Sequence, residues 1–166
     1  DTYYTNLTAA LEAAVTLEGA TVTLLKNAAP DNDVYQQPSG TILAIDLNGH
    51  VLDGAINVRS GASLTMTGSA ENSKVTGEIR CTNGTLTIQG GSYGTINAKN
   101  LKKLYISSAD VKDLRLADEC DDSHCTGNHT IESNVVLHRF AGTPYVAHFL
   151  PKGYCLHDGT GPVPLY

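Results

Sequence analysis

Short apolar-x-apolar triplets return along this chain about every twenty residues. One series reads Ile45-Asp46-Leu47, Leu64-Thr65-Met66, Leu86-Thr87-Ile88 and Leu104-Tyr105-Ile106. A second, interleaved series reads Ile56-Asn57-Val58, Ile79-Arg80-Cys81, Ile96-Asn97-Ala98 and Leu114-Arg115-Leu116. Side chains alternate between the two faces of a strand, so the outer members of each triplet are predicted to point inward and the middle member outward. Inexact repeats of this length predict stacked coils of short strands rather than a closed sheet.

The repeats therefore predict an all-β fold, a short right-handed parallel β-helix (a solenoid). The right hand follows from the general preference of parallel crossover connections. Like residues of successive coils are expected to stack in columns at about 4.8 Å per rung. We expect one inner column to contain Leu47, Met66, Ile88 and Ile106. At the far end we expect Val135-Val136-Leu137 to continue the second series beyond Leu114 and Leu116.

Both ends of the stack are predicted to be capped. Residues 5–15 have apolar side chains at helical spacing after a capping Thr5 or Asn6, namely Leu7, Leu11 and Ala14. Such a helix would cover the first coil, whose interior and strand edge would otherwise be exposed. We therefore divide one domain, 1–166, into a helical cap (1–20), coils (21–137) and an irregular C-terminal cap (138–166).

The charge balance narrows the classes of function. The chain has 166 residues, with 11 Lys and Arg against 17 Asp and Glu and a formal net charge of −6. A general nucleic-acid binder needs a basic surface to neutralise phosphates, so nucleic acid is not an expected partner. Apolar runs stay well short of the ~20 residues needed to cross a bilayer, so membrane insertion is not expected either.

Four cysteines, Cys81, Cys120, Cys125 and Cys155, allow three complete pairings, and the sequence leaves the pairing open. Cys81 occupies an inward slot of the second series, which predicts a buried and inert thiol. Cys120 and Cys125 flank a polar loop and could close it as a local disulfide, or either could pair with Cys155. The loop also contains His124, but its spacing matches a zinc site poorly, so no metal and no other cofactor is expected.

The candidate binding residues are the outward members of the second series, Asn57, Arg80, Asn97 and Arg115. Arg80 and Arg115 are expected two rungs apart, about 10 Å, with an amide between them. Such a row could bind an acidic glycan or a protein partner that carries carboxylates. The plain alternative is a solvated ladder without a specific role. Tyr105 is a further candidate, as a sugar-stacking platform or an interface anchor, although a lone Tyr also simply favours a strand.

A second hypothesis is a polysaccharide-active enzyme fragment of lyase or hydrolase type. β-helix hydrolases use clustered carboxylates, and Arg115 with Asp110 and Asp113 is the one cluster in the sequence that fits such a role. The other carboxylates fall on different coils, so we name no catalytic residue. A third possibility is self-assembly through exposed end coils.

Several strings resemble β-helix modules of large secreted or wall-attached bacterial proteins. They are the "TVTLL" of residues 21–25, the "DLNGHVL" of 46–52, the "RSGASLTM" of 59–66 and the "FLPKGY" of 149–154. The fold of such modules is similar to that of pectate lyases, although a shared fold does not carry the activity. The resemblance implies an extracellular, cell-surface module of a gut-type bacterium, with neighbouring domains in a longer chain. We therefore expect a non-catalytic binding, adhesion or spacer module that presents flat coil faces to a glycan or a host protein.

Overall fold

The computed structural model describes residues 1–117, 128–142, 154–156 and 162–164. It shows a parallel β-solenoid of about five turns preceded by one short α-helix, as the repeats predict. The helix is α1 (Leu7–Ala14), and a single 3-10 turn follows at Asp31–Asp33. In chain order the strands are β1 (Thr21–Thr23), β2 (Val34–Gln37), β3 (Ile42–Asp46), β4 (Val51–Leu52), β5 (Ala55–Val58), β6 (Ser63–Gly68), β7 (Lys74–Val75), β8 (Ile79–Thr82), β9 (Thr85–Gly90), β10 (Ser92–Lys99), β11 (Lys103–Ser107), β12 (Asp110–Ala117), β13 (Asn128–Ile131), β14 (Val136–Leu137), β15 (Phe140–Gly142), β16 (Tyr154–Leu156) and β17 (Pro162–Pro164).

The strands form two long parallel sheets. Sheet A joins β1, β3, β6, β9, β11 and β13 in that order. Sheet B joins β2, β5, β8, β10, β12 and β15. A narrow third row consists of β4, β7 and β14 with the first residues of β10 and β12, which continue into sheet B. A separate antiparallel pair is formed by β16 and β17.

Columns of like residues fill the interior. In sheet B the strand pairing stacks four aliphatic residues between one aromatic residue at each end, in the order Tyr35, Ile56, Ile79, Ile96, Leu114 and Phe140. All six are buried. Full burial of one such side chain is worth about 1.5–3 kcal/mol, so each column adds substantially to the stability of the stack.

The predicted inner column of sheet A is wrong in its first member. Met66 pairs with Ile45 instead of Leu47, and the observed column is Ile45, Met66, Ile88, Ile106 and Ile131. Leu47 is also buried, but it lies two residues further along, where its N–H donates to the carbonyl of Thr67 at 2.9 Å. The apolar alternation runs unbroken from Leu43 to Leu47, so periodicity alone could not choose the register.

The prediction for the far end of the coils is also wrong. Leu137 lies in the narrow third row beside Val111, and Leu114 pairs with Phe140 instead of Val135. The coils therefore extend to Gly142, beyond the predicted boundary at residue 137. In the sequence Val135 and Leu137 have the same spacing as Leu114 and Leu116, so the apolar pattern alone could not exclude their pairing.

The predicted N-terminal helix is confirmed. Asn6 caps α1, because its side-chain oxygen accepts a hydrogen bond from the N–H of Ala9 at 2.9 Å. The apolar face of α1, with Leu11 fully buried, packs on β1 and β3 at the start of the solenoid. Among the residues that the structure describes, no helix has the length and apolar content needed to span a bilayer.

Residues in the left-handed conformation turn the chain from sheet B to the next strand of sheet A. At successive coils they are Gly40, Gly61, Asn83 and Asn100, with φ of +73°, +75°, +51° and +51°. Gly and Asn adopt this conformation at the lowest cost, which explains their recurrence at this corner. The N–H of Gly61 donates to the carbonyl of Asn83 at 2.9 Å, so the corners are also hydrogen-bonded from coil to coil.

Candidate binding face

Four of the five candidate residues stand in one outward column of sheet B. Asn57 pairs with Arg80, Arg80 with Asn97, and Asn97 with Arg115. This is the column that the triplet pattern predicts, and it places the two arginines two rungs apart, about 10 Å. We call the part of this outward surface that lies on the coils of β5, β8, β10 and β12 the arginine face; its residues are Ala55, Asn57, Arg59, Glu78, Arg80, Thr82, Thr95, Asn97, Lys99, Asp113, Arg115 and Ala117.

The fifth candidate, Tyr105, lies elsewhere. It belongs to β11 of sheet A, where it pairs with Thr87 and Thr130. In the first coils the same outward column contains Ala44, and not Asp46 as the triplets predict, because Thr65 pairs with Ala44. Tyr105 therefore does not join the arginine face, and any role it has in binding is separate from that of Arg80 and Arg115.

Each arginine of the central column is held by the carboxylate two residues before it on the same face. In the first pair, Arg80 Nε donates to Glu78 Oε1 at 3.2 Å and Nη2 donates to Oε2 at 3.5 Å. In the second pair, Arg115 Nε and Nη2 both donate to Asp113 Oδ2, at 2.9 and 2.7 Å. Both guanidinium groups thus use the same edge, Nε with Nη2, to contact their own strand.

The two pairs differ in burial. The Arg80 and Arg115 side chains are 58 % and 50 % exposed, whereas Glu78 is 32 % and Asp113 only 14 % exposed. The second oxygen of Asp113, Oδ1, is buried and accepts no hydrogen bond from the described residues. Asp113 therefore depends on Arg115 for its polar contacts, and its hydrogen bond is the main reason that the pKa of Arg115 is raised.

Amide side chains add two contacts: Asn97 joins the Glu78–Arg80 pair to form a network of three side chains, and Asn57 separately contacts Gln36. Asn97 Nδ2 donates to Glu78 Oε1 at 2.9 Å, and Asn57 Nδ2 donates to Gln36 Oε1 at 2.8 Å. Burial alone would raise the pKa of Glu78, but the hydrogen bonds from Asn97 and Arg80 and the attraction of the two arginines outweigh it. The pKa of Glu78 is consequently lowered, so the ionised carboxylate and its contacts with Arg80 and Asn97 persist to a lower pH than those of an ordinary glutamate.

Two residues in these contacts, Glu78 and Gln36, were not predicted as site residues from the sequence. Glu78 had a usable signal, because Glu78-Ile79-Arg80 and Asp113-Leu114-Arg115 share an acid-x-Arg pattern that puts both charges on one face of a strand. Gln36 had none, since no apolar triplet marks β2 and its alternation, Val34-Tyr35-Gln36-Gln37, buries the polar Gln37. The Gln37 amide is accommodated because Nε2 donates to the carbonyl of Ser63 at 2.9 Å.

The proposed catalytic cluster of Arg115, Asp110 and Asp113 is only partly assembled. Asp113 is bound to Arg115, but Asp110 lies in the narrow third row and contacts the His138 ring at 2.9 Å between Oδ1 and Nε2. Asp110 also lines a shallow groove of about 300 Å³ at the corner between sheet A and the third row. At this groove residues 69–73 form a longer corner than the single residue Gly91 does in the next coil.

Cys81 is fully buried and free, as predicted, and burial raises the pKa of its thiol to about 12. The predicted contacts among Cys120, Cys125 and Cys155 and the polar loop at 118–127 lie outside the residues whose side chains the structure describes. Within the described ranges, no three His, Cys, Asp or Glu side chains come together as a potential metal site.

Comparisons of this chain with protein-family models, with curated proteins and with solved structures find no match. A function for this domain therefore has to be inferred from its fold and from the geometry of the arginine face.

Proposed function

We propose that this domain is a non-catalytic binding module of an extracellular bacterial surface protein, which presents the arginine face to a glycan or a host protein. The observation that carries the proposal is the ordered row of hydrogen-bonding groups on the outer face of sheet B. Polar side chains at fixed spacing on the outside of a parallel sheet suit recognition of an extended partner more than they suit turnover of a substrate in a cleft.

The order of the row comes from its internal contacts. A solvent-exposed arginine ordinarily samples many rotamers, and binding would have to fix one of them at a cost of about 0.5–1.5 kcal/mol for each side chain. On the arginine face the carboxylates of Glu78 and Asp113 already hold Arg80 and Arg115. Part of that ordering cost is therefore met in the folded protein.

The extracellular location rests on the resemblance of residues 21–25, 46–52, 59–66 and 149–154 to modules of bacterial surface proteins. Antibody labelling of intact cells of the source bacterium, compared with lysed cells, tests it. Labelling of intact cells is the expected result, and signal from lysed cells alone would contradict the proposed location.

Binding is tested with the fluorescently labelled full chain on an array of neutral, uronic-acid and sulfated glycans, and on a panel of purified mucins and extracellular-matrix proteins. We expect binding to at least one class, and loss of that binding in the Arg80→Ala/Arg115→Ala double variant. The matched control is Lys102→Ala/Lys103→Ala, which removes the same charge from an exposed site at the start of β11. Blank arrays for the unmodified protein would overturn the binding role and leave only that of a spacer.

A further inference from the structure

We infer that the arginine face is a two-point site for an acidic glycan with one anionic group in each disaccharide, which Arg80 and Arg115 bind together. The inference rests on the proposed binding function and specifies its ligand. It is carried by the orientation of the two guanidinium groups and by their spacing along the solenoid.

The orientation leaves the outer edge of each guanidinium available. A guanidinium has two edges that can donate a pair of parallel hydrogen bonds to a carboxylate or a sulfate. In both arginines the Nε–Nη2 edge contacts the carboxylate of the same strand, and Nη1 makes no hydrogen bond to the described residues. Both side chains are at least half exposed, so the edge with Nη1 can receive an anion from solvent.

The distance between Arg80 and Arg115 suits a polymer with a regularly repeating acidic group. Arg80 and Arg115 occupy the same position of the strand, each with its own carboxylate two residues before it, and one coil separates them. They are thus equivalent positions of the solenoid related by a translation of two rungs, about 10 Å. An extended disaccharide unit has a similar length, so successive acidic groups of such a chain would meet the two guanidinium groups in turn.

The group between the two arginines fits a sugar as well. Asn97 stands on the rung between Arg80 and Arg115, with its amide nitrogen committed to Glu78 at 2.9 Å. That contact uses the donor end of the amide, and the carbonyl oxygen at the other end is an acceptor suited to a sugar hydroxyl. An alternation of cation, amide and cation would therefore match an alternation of acidic and neutral sugars.

The local charge favours an anion although the whole chain is acidic. The arginine face carries four cations, Arg59, Arg80, Lys99 and Arg115, against the carboxylates of Glu78 and Asp113. Screening at physiological salt confines electrostatic attraction to about 8 Å, so these near charges outweigh the net charge of the chain for a ligand in contact. A protein partner is less well matched, since protein interfaces centre on buried Trp, Tyr or large apolar anchors and the outward residues of this face are small or polar.

The test uses length-defined hyaluronan oligosaccharides, which have one carboxylate in each disaccharide, and chitin oligosaccharides of equal length as uncharged controls. In calorimetric titrations of the full chain at low salt, we expect the tetrasaccharide to bind at least about tenfold more tightly than the disaccharide, because it can contact both arginines. We expect Arg80→Ala and Arg115→Ala each to reduce tetrasaccharide affinity to about that of the disaccharide. The control Lys103→Ala removes a cation from an exposed position of β11 in sheet A, away from the arginine face, and should change tetrasaccharide affinity by less than about threefold.

A further variant tests whether the carboxylates position the arginines. In Asp113→Asn, loss of the ion pair frees Arg115, so the tetrasaccharide should lose much of its advantage over the disaccharide. Removal of a negative charge should at the same time leave disaccharide affinity unchanged or increased. If Asp113 only repelled the ligand, both affinities would rise together and the length dependence would persist.

The outcomes separate this inference from the proposed function. Equal binding of chitin and hyaluronan oligosaccharides, or binding of a matrix protein that depends on Arg80 and Arg115 without any glycan binding, would overturn the acidic-glycan inference and retain a binding module. Acidic glycan binding without dependence on length or on the two arginines would also overturn it. Absence of binding to every glycan and every protein would overturn both.

Discussion

Replacement of Gly77 by alanine should destabilise the stack severely, because adjacent coils touch there through their backbones. A Cβ at Gly77 would overlap the carbonyl carbon and oxygen of Gly54 and would lie 2.6 Å from the nitrogen of Ala55. Ordinary Cβ contacts begin at 3.4 Å, so the neighbouring coil would have to move by about 0.8 Å to clear the nitrogen of Ala55 and by more than that to clear Gly54. That movement threatens two hydrogen bonds, from Gly77 N–H to Gly54 and from Ile56 N–H to Glu78, of 3.1 and 3.0 Å.

The expected loss of stability combines two costs. Overpacking costs about 1–3 kcal/mol, and each weakened hydrogen bond costs about 0.5–1.5 kcal/mol. The Gly77→Ala variant should therefore lose about 2–6 kcal/mol of unfolding free energy, with a melting temperature lower by roughly 4–24 °C. The backbone conformation of Gly77 is one that alanine can adopt, so the effect isolates the contact between coils.

The assay is urea and thermal unfolding followed by circular dichroism, with Gly94→Ala as the matched control. Gly94 lies at the same corner one coil further on, where a Cβ would meet only the carbonyl oxygen of Thr76 at 3.3 Å. We expect that control to change stability by less than about 1 kcal/mol. Equal melting temperatures for Gly77→Ala and Gly94→Ala would refute the close approach of the coils at Gly54.

Three further predictions concern the core, the network and the cap. Burial raises the pKa of Cys81 to about 12, so iodoacetamide at about pH 8 should leave this thiol unmodified in the native protein and alkylate it in denaturant. Peptide mass spectrometry measures the modification, and alkylation of the native protein would contradict the burial of Cys81. Because the pKa of Glu78 is lowered on folding, its contribution to stability is present above the unfolded pKa near 4.5 and is lost as the pH falls through the folded value. Glu78→Gln should therefore make the unfolding free energy fall less steeply with decreasing pH on the acid side. An unchanged pH profile would show that Glu78 does not couple proton binding to folding. Leu11→Ala should cost about 2–5 kcal/mol in urea unfolding, whereas Glu12→Ala on the exposed side of α1 should stay within about 0.5 kcal/mol; similar losses would show that the helix does not cover the first coil.

The sequence predicts the second series well because its triplets are isolated. Each of Ile56-Asn57-Val58 and Ile79-Arg80-Cys81 is bounded by turn residues, so alternation allows one register only. In the first series, residues 43–47 offer two overlapping triplets, and the choice between Ile45 and Leu47 as the partner of Met66 depends on contacts between coils. Those contacts are long-range and leave no local pattern.

The variable length of the corners between strands is the second limit on predicting the strand pairing from the sequence. The two triplets that begin at Ile56 and Ile79 are 23 residues apart, whereas those that begin at Ile79 and Ile96 are 17 apart, yet both pairs stack directly. The difference of six residues is taken up by four extra residues in the corner at 69–73, one near Gly77 and one in the corner that contains Gly61. A spacing count cannot distinguish a longer corner from a missing strand. It therefore could not show that Leu114 pairs with Phe140 and not with Val135.

The sequence predicts which residues of the candidate site share a column, but it does not predict the hydrogen bonds between their side chains. Alternation places Asn57, Arg80, Asn97 and Arg115 outward, and the register then aligns them. Whether an exposed arginine is held by a neighbour depends on rotamers, which the pattern does not specify. The acid-x-Arg repeat at Glu78 and Asp113 is the sequence feature from which the side-chain contacts within this column could have been predicted.

The central claim is that the solenoid register puts Arg80 and Arg115 on either side of Asn97. Nuclear Overhauser contacts between backbone amide and Cα protons of the isotope-labelled protein test it most directly, because they report pairing between neighbouring strands residue by residue. We predict that Asn97 shows contacts to the strand positions of both Arg80 and Arg115. Contacts that place Glu78 or Thr82 opposite Asn97, or that reach only one of the two strands, would contradict this register.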